Sequence, residues 1–120
     1  MSGSSLVLDT NIVLYFLSGD DTLLPLMEEK NLLISVITEI ELLGYSEFTE
    51  DELTSTKQFI NHCTIVNLNK DIKDIAISLR KEYKIKLPDS IIIATANSLN
   101  TPLITADSDF KKLENPNIIL

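Results

Sequence analysis

Acidic side chains recur in this chain at points where apolar segments begin or end. Asp9 follows the apolar run Leu6–Leu8, Asp89 follows Pro88 at the head of an apolar segment, and Asp107 follows Ile104-Thr-Ala. Glu41 lies inside an apolar helical pattern without a nearby Lys or Arg, so a buried Glu41 would need a partner such as a metal ion. Together these residue types could coordinate a hard cation.

Each of these acids also has an ordinary structural interpretation. Asp9, with Thr10 beside it, suits a helix N-cap, and Asp89 suits the first turn of a helix, where the dipole favours an acid. Asp107 and Asp109 resemble common turn residues, and Glu41 could point to solvent from a helix edge. Their joint placement at strand ends and helix starts favours a shared site over four unrelated roles.

Other kinds of chemistry have less support. His62 and Cys63 are the single histidine and the single cysteine, and as sequence neighbours they do not suggest a catalytic pair. One cysteine cannot form an internal disulfide, and the two residues are too few for a structural zinc site. Tyr15, Phe16 and Tyr83 could stack nucleic-acid bases, but their helical spacing beside apolar residues favours core packing.

Short β-prone segments alternate with helical patterns along the chain. The predicted strands are Ser5–Leu8, Leu32–Ser35, Thr64–Leu68, Leu103–Thr105 and Ile118–Leu120. The predicted helices include an apolar helix after Asp9, Val36 to Gly44 with Gly44 as C-cap, a helix opened by a Thr49–Glu52 capping box, Lys70 to Tyr83 with Asn69 as N-cap, and Pro88 to about Leu99.

This alternation predicts an α/β fold, in which a mostly parallel five-stranded sheet is covered on both faces by helices in a three-layer sandwich. In such folds, ligands bind at the carboxyl ends of the strands, where the strand order reverses. Asp9 directly follows the first predicted strand and Asp107 the fourth, so both are expected at that edge.

At 120 residues the chain is long enough for one domain, 1–120, and too short for two. Met1–Ser4 is expected to be a disordered leader, because it is small and polar. The apolar runs fall short of the roughly 20 residues that cross a bilayer, and the start lacks a basic segment before an apolar one. A cytoplasmic protein without membrane contact is therefore expected.

The net charge of −8 is unevenly distributed. Residues 1–60 carry eleven acids and two bases, whereas residues 61–120 carry seven acids and eight bases. Because phosphates repel an acidic surface, a nucleic acid is expected to meet the second half. The candidate nucleic-acid-binding rim consists of Arg80, Lys81, Lys84, Lys86, Lys111 and Lys112. The alternative is that these residues are a solvated helix end.

The chain resembles PIN domains along nearly its whole length and, among them, the VapC toxins of VapBC toxin–antitoxin pairs. The resemblance depends on four motifs in the same order, which are Leu8-Asp9-Thr10-Asn11-Ile12, Ser35-Val36-Ile37-Thr38 leading to Glu41-Leu42, Leu87-Pro88-Asp89 before an apolar helix, and Thr105-Ala106-Asp107-Ser108-Asp109-Phe110.

The resemblance implies strand order 3-2-1-4-5, which would place Asp9 beside Asp107. It also implies a catalytic metal site of Asp9, Glu41, Asp89 and Asp107, with Asp109 as a candidate fifth ligand. Thr10, Asn11 and Thr105 are the polar residues that it places around this site.

The activity implied by the resemblance is metal-dependent hydrolysis of phosphodiester bonds in single-stranded or loop RNA, leaving a 5′-phosphate and a 3′-hydroxyl. The implied partners are a small antitoxin protein that blocks the site and a second copy of the chain in a homodimer.

A converging set of carboxylates restricts the cofactor. Two carboxylates about 4 Å apart repel by roughly 4 kcal/mol at an effective dielectric constant of 20, so four cannot all stay ionised without a cation. All-oxygen ligands suit Mg²⁺ or Mn²⁺. One or two such ions are therefore expected, the first to activate a water and the second to stabilise the departing oxygen.

Three other interpretations fit less well. Phosphatases of the haloacid-dehalogenase type need a second Asp two positions after the first, where this chain has Asn11. Receiver-like signalling domains open with paired acids, which Met1 to Leu8 lacks. A non-catalytic PIN-fold module that binds RNA or protein remains the main alternative, although the full set of four acids argues against it.

Overall fold

The computed structural model describes residues 4–113 and 118–119. Its elements, in chain order, are β1 Ser5–Leu8, α1 Thr10–Leu17, α2 Leu24–Met27, β2 Asn31–Ser35, α3 Val36–Leu43, α4 Glu50–Asn61, β3 Thr64–Val66, α5 Lys70–Glu82, α6 Leu87–Ser98, β4 Leu103–Ile104, a 3₁₀ helix Ser108–Leu113 and β5 Ile118–Ile119. Of the predicted leader Met1–Ser4, the first three residues lie outside the described part.

The strands form one sheet in the order β3-β2-β1-β4-β5, and all four strand pairs are parallel. The predicted order is therefore confirmed. Strand β1 lies at the centre, with Val7 opposite Leu33 on one side and Leu103 on the other. Because both of its neighbours are strands and both sheet faces are covered, Val7 and Leu8 are fully buried.

Successive residues of the central strands pack into different hydrophobic clusters. Leu8 and Ile104 join a cluster that includes Leu42 of α3, whereas Val7 and Leu103 join a cluster that includes α6 residues. Side chains alternate between the faces of a strand, so both faces carry a helical layer. The predicted α/β sandwich is thereby confirmed.

Local capping signals define several helix ends as predicted. Thr49 and Glu52 form the reciprocal capping box that begins α4, and the Asn69 side chain accepts a hydrogen bond from Ile72 N at 2.9 Å to begin α5. Gly44 is the C-cap of α3, but with φ −88° it is not left-handed. Glycine is favoured there because an added Cβ would lie 2.8 Å from Ile40 O.

Some details differ from the sequence predictions. Two short helices, α2 and the 3₁₀ helix, have no predicted counterpart, because so few residues do not show a helical period. Strand β4 ends at Ile104 and not at Thr105. Tyr15 is 47% exposed, so its predicted core packing is wrong, since α1 turns Ile12 and Val13 inward instead. No helix within the described ranges is long and apolar enough to span a membrane.

Candidate active site

The carboxyl ends of β1 and β4 bring two distant segments together. Leu8 lies opposite Ile104 in the sheet, so the residues that follow, Asp9 and Thr105, are neighbours across 96 positions of sequence. Thr105 Oγ1 donates a hydrogen bond to Asp9 Oδ2 at 2.6 Å and accepts one from Asp107 N at 3.1 Å. One buried hydroxyl therefore connects the two segments that carry Asp9 and Asp107.

Asp9 is held at both carboxylate oxygens. Its Oδ1 accepts a hydrogen bond from Thr10 N at 2.7 Å, while Oδ2 accepts the Thr105 hydroxyl. Asp9 is also the N-cap of α1 and is 5% exposed. The helix-cap interpretation is therefore correct, and it is compatible with a role at the site, because the same geometry immobilises the carboxylate at the sheet edge.

Glu41 reaches this edge from α3. Thr10 Oγ1 donates to Glu41 Oε1 at 2.7 Å and lies 2.9 Å from Thr38 Oγ1. The side chain of Glu41 is exposed, so the interpretation of Glu41 as a buried carboxylate is wrong. The buried residues of α3 are Thr38 and Leu42, whereas the apolar Ile40 is 61% exposed, so the apolar pattern did not imply that Glu41 is buried. One oxygen of Glu41 is directed at α1.

Asp89 lies half-buried in the first turn of α6. The pKa of Asp89 is raised to about 6, mainly by burial and also by the charges of Asp9, Asp107 and Glu41, while the nearby Lys86 ammonium acts in the opposite direction. The carboxylate of Asp89 therefore feels all three other acids of the predicted set.

Burial also raises the pKa of Asp9. The hydrogen bonds from Thr105 and Thr10 work against this rise, because they stabilise the charged form, and the charges of Asp107 and Glu41 add to it. The four predicted acids are thus close enough for their charges to interact. They come from different elements, because Asp9 begins α1, Glu41 lies on α3, Asp89 lies in the first turn of α6 and Asp107 follows β4.

The four acids suit a hard divalent metal ion, because every candidate ligand is a carboxylate oxygen and together the acids carry excess negative charge. Among the described residues, however, no three Asp, Glu, His or Cys side chains lie close enough to form a complete metal site as they stand. An ion would therefore have to draw the carboxylates closer together. The side chain of Asp109, the candidate fifth ligand, lies outside the described part, as do those of Lys111 and Lys112.

The remaining bases of the predicted rim occupy different places. Lys86 precedes α6 and acts electrostatically on Asp89. Arg80 and Lys81 instead line a separate groove of about 590 Å³, whose other residues are Leu68, Lys73, Ala76, Ile77, Leu87 and Ile91. Leu87 and Ile91, which line this groove, are one helical turn apart on α6. Asp89 is about 200° around the helix from Leu87, so it lies on a different face of α6. Lys84 is exposed.

A larger groove of about 780 Å³ opens beside the acidic site, where Thr10, Asn11 and Glu41 form its end. It continues between α1 and α4 and is lined by aromatic and acidic side chains, namely Tyr15, Tyr45, Glu47, Phe48, Asp51 and Glu52. The sequence patterns did not indicate a groove here, and they assigned Tyr15 to the core and Glu52 to a helix cap. Tyr45 and Phe48 pack edge to face at 4.9 Å. The one available signal was this aromatic pair in the polar segment after Gly44.

His62 and Cys63 have structural roles in agreement with the sequence prediction. The Nδ1 atom of the His62 ring lies within hydrogen-bond distance, 2.8 Å, of Gln58 O in α4. Cys63 packs against the cluster around Leu8, and burial raises the pKa of its thiol to about 11. A thiol of that pKa is protonated at neutral pH, so it is not an activated nucleophile.

The chain is similar to known proteins in both sequence and structure. A family model described as "PIN domain" matches residues 6–116. A solved chain from a toxin–antitoxin complex of Klebsiella pneumoniae is 32% identical, with 96% of each chain covered and a TM-score of 0.82.

Two further structures resemble the chain. One from VapBC2 of Rickettsia felis, bound to a DNA fragment from its promoter, is 25% identical, covering 97% of this chain and 96% of that one, with a TM-score of 0.79. One from VapBC-1 of nontypeable Haemophilus influenzae shares the fold at 22% identity and a TM-score of 0.77, with 96% of each chain covered. No curated protein sequence matched significantly.

Proposed function

The chain belongs to the PIN domain family, and from this premise we propose that it is a divalent-metal-dependent endoribonuclease, the toxin of a toxin–antitoxin pair. The observation that carries the nuclease proposal is the grouping of four acids at the carboxyl edge of the sheet, where Asp9 is fixed by two hydrogen bonds and Asp89 feels the charges of Asp9, Asp107 and Glu41. The toxin proposal is supported by the similarity to chains from toxin–antitoxin complexes.

In this proposal Asp9, Glu41, Asp89 and Asp107 hold one or two Mg²⁺ or Mn²⁺ ions. Such ions, when bound, supply the charge that makes a water nucleophilic near neutral pH and that stabilises the phosphate oxygens. The protein contributes orientation. Thr105 and the amide of Thr10 hold the Asp9 carboxylate, and the Thr10 hydroxyl directs the Glu41 carboxylate toward the same edge.

The proposed reaction is hydrolysis of an RNA phosphodiester. Water loses a proton and its hydroxide adds to phosphorus, and the bond from phosphorus to the 3′-oxygen breaks. That oxygen takes up a proton and leaves as a 3′-hydroxyl, while the phosphate stays on the 5′-oxygen of the next nucleotide. The ammonium group of Lys86, which lowers the pKa of Asp89, would attract the RNA backbone beside the acids.

A purified-protein assay tests this function directly. Single-stranded RNA should be cut in Mg²⁺ or Mn²⁺ and spared in a chelator, and the new ends should carry 5′-phosphates. Asp9→Asn removes a candidate ligand charge at nearly constant volume, so cleavage should fall by more than the roughly 10- to 100-fold typical of residues that only support a metal ligand. Asp20→Asn, a change of an exposed acid in a turn, should cleave normally.

Two outcomes would contradict the proposal. An Asp9→Asn protein that cuts at the wild-type rate would remove Asp9 from the site. Wild-type protein that binds RNA but cuts it with neither ion would favour the alternative, a non-catalytic PIN-fold module.

The partner we propose for the larger groove is an antitoxin segment, because the similar chains come from toxin–antitoxin complexes. The aromatic floor of this groove suits apolar side chains, and its four carboxylates, Glu41, Glu47, Asp51 and Glu52, suit basic ones. The same carboxylates would repel RNA phosphates. The product of a short neighbouring reading frame should co-purify with this chain, and its failure to bind would contradict this part of the proposal.

We also propose that the chain forms a homodimer and acts in the cytoplasm. Light scattering of the purified chain, with its antitoxin and without it, would measure the molar mass of the particle and so the number of copies of this chain in it. A monomer under both conditions would contradict the dimer.

A further inference from the structure

Thr38 uses its hydroxyl differently from Thr56 and Thr95, two other threonines that are buried within helices. Thr56 and Thr95 each donate to the carbonyl four residues earlier in their own helix, at 2.8 and 2.7 Å. Thr38 lies in the first turn of α3, is 0% exposed, and directs its hydroxyl to another element, 2.9 Å from Thr10 Oγ1 on α1.

Proton counting sets the direction of this contact. A threonine hydroxyl carries one hydrogen, and the hydrogen of Thr10 is donated to Glu41 Oε1 at 2.7 Å. Thr10 therefore accepts from Thr38, although the 2.9 Å separation alone would allow either direction. The three side chains form a one-way chain that runs from Thr38 through Thr10 to Glu41, and such chains strengthen each of their hydrogen bonds.

Glu41 has a greater need of such support than Asp9 has. Asp9 is almost fully buried and held at both oxygens, whereas the longer side chain of Glu41 is exposed. Within the described part of the chain, its carboxylate is held by the Thr10 hydroxyl alone. The orientation of Glu41 thus depends on where the Thr10 hydroxyl points.

We propose that Thr38 is a positioning residue for the metal site. By donating to Thr10, it fixes the rotation of the Thr10 hydroxyl, which in turn holds the Glu41 carboxylate ready to bind the ion. This inference rests on the proposed metal-dependent function. It adds a residue to Thr10, Asn11 and Thr105, the polar residues that the motifs indicated, and it assigns Thr38 no contact with substrate.

The test measures Mn²⁺ binding to the whole chain in the absence of RNA. Thr38→Val removes the hydroxyl and keeps the shape, so the Mn²⁺ dissociation constant should rise by about 3- to 10-fold. This is less than the roughly 10- to 100-fold typical of a residue that hydrogen-bonds a metal-binding side chain directly. Thr38→Ser keeps the hydroxyl and should bind as the wild type does. Thr38→Ala serves the same purpose if valine prevents folding.

A double-mutant comparison shows whether Thr38 acts through Thr10. Thr10→Val alone should weaken Mn²⁺ binding at least as much as Thr38→Val does, and adding Thr38→Val to it should cause no further loss. The matched control is Thr95→Val, which removes an equally buried hydroxyl from α6. It should lower the unfolding temperature and leave the Mn²⁺ dissociation constant unchanged.

The failures are distinguishable. Wild-type affinity in Thr38→Val, or an equal loss in Thr95→Val, would overturn the positioning role and leave the proposed function in place. A further loss when Thr38→Val is added to Thr10→Val would overturn the route through Thr10. Wild-type protein that binds no Mn²⁺ would overturn the metal site itself, and the role of Thr38 with it.

Discussion

At the residue scale, the structure gives Asp9 two roles that the sequence left as alternatives. Its backbone and side chain begin α1, and the cap hydrogen bond from Thr10 N also fixes Oδ1 of the carboxylate at the carboxyl edge of the sheet. The helix start thus orients one oxygen of a candidate ligand. Thr105 completes this arrangement from the neighbouring strand, which explains why a threonine is useful immediately after β4.

Glu39 lies two residues before Glu41 on α3 and is the other acid that could occupy this position of the site, so paired substitutions test which of the two is functional. Glu41→Gln should lose metal-dependent RNA cleavage, because its carboxylate lies against Thr10 at the site, whereas Glu39→Gln should remain close to the wild type. A helix turns about 100° per residue, so the two side chains point in different directions. RNA cleavage by both purified variants is the measurement, and the reverse result would show that Glu39 is the functional acid.

The raised pKa of Asp89 predicts an unusual pH dependence in the metal-free protein. Its folded pKa of about 6 exceeds its ordinary value, so the folded state holds the proton more tightly than the unfolded state. The unfolding free energy should therefore increase as the pH falls from about 7 to about 5. Urea unfolding in a chelator at both pH values would measure this change.

Asp89→Asn should reduce that dependence, and the remaining dependence is expected from Asp9, whose pKa is also raised. Asp20→Asn is the control. Hydrogen bonding to Thr22 lowers the pKa of Asp20, so its contribution changes below about pH 4 and not in this window. A pH dependence in Asp89→Asn equal to that of the wild type would contradict the assignment.

At the element scale, the end of α3 connects the acidic site to the larger groove. Gly44 ends the helix one turn after Glu41, and the chain then enters the segment that carries Tyr45 and Phe48. The helix can end this way because the missing Cβ leaves room for Ile40 O. Glycine is therefore required here for close approach and not for a left-handed backbone.

Gly44→Ala should destabilise the protein by about 1 kcal/mol, a typical cost for a local steric conflict. The conflict is with a backbone atom, Ile40 O, at 2.8 Å, so a side-chain rotation cannot relieve it. Urea unfolding measures the loss, with Ser46→Ala, an exposed site in the same segment, as the near-neutral control. Equal stability of Gly44→Ala and the wild type would show that the end of α3 adjusts freely.

At the scale of the whole molecule, charge is divided between surfaces. The larger groove is lined by acids from residues 1–60, whereas the smaller groove is lined by Lys73, Arg80 and Lys81. Lys86 lies near the acidic site and acts on Asp89. An RNA strand that reaches the site is thus expected to approach from the side of Lys86 and not along the larger groove.

Lys86→Gln should therefore weaken RNA binding. In an Asp9→Asn background, so that RNA is bound and not cut, loss of one phosphate contact should flatten the log-log salt dependence of affinity by about one unit or less. Lys57→Gln removes the same charge from an exposed position on α4 and should have little effect. Equal affinities and salt slopes for the two variants would restore the interpretation of Lys86 as a solvated helix end.

Local signals in the sequence determined much of the secondary structure. The capping box of Thr49 and Glu52 and the cap at Asn69 were readable because each partner lies within four residues. The four acidic motifs could also be found from the sequence, with Asp9 and Asp107 assigned to strand ends. Their strand order, however, came from family resemblance, since spacing alone does not specify which strands pair.

The tertiary structure alone decided how the acids are held and which surfaces surround them. Thr105 meets Asp9 across 96 positions and Thr10 meets Glu41 across 31, because strand pairing and helix packing bring these segments together. The exposure of Glu41 and Tyr15, and the position of Arg80 and Lys81 along the smaller groove, follow from the same packing. Helix periods and caps depend on hydrogen bonds within one turn, whereas these contacts depend on how whole elements are arranged.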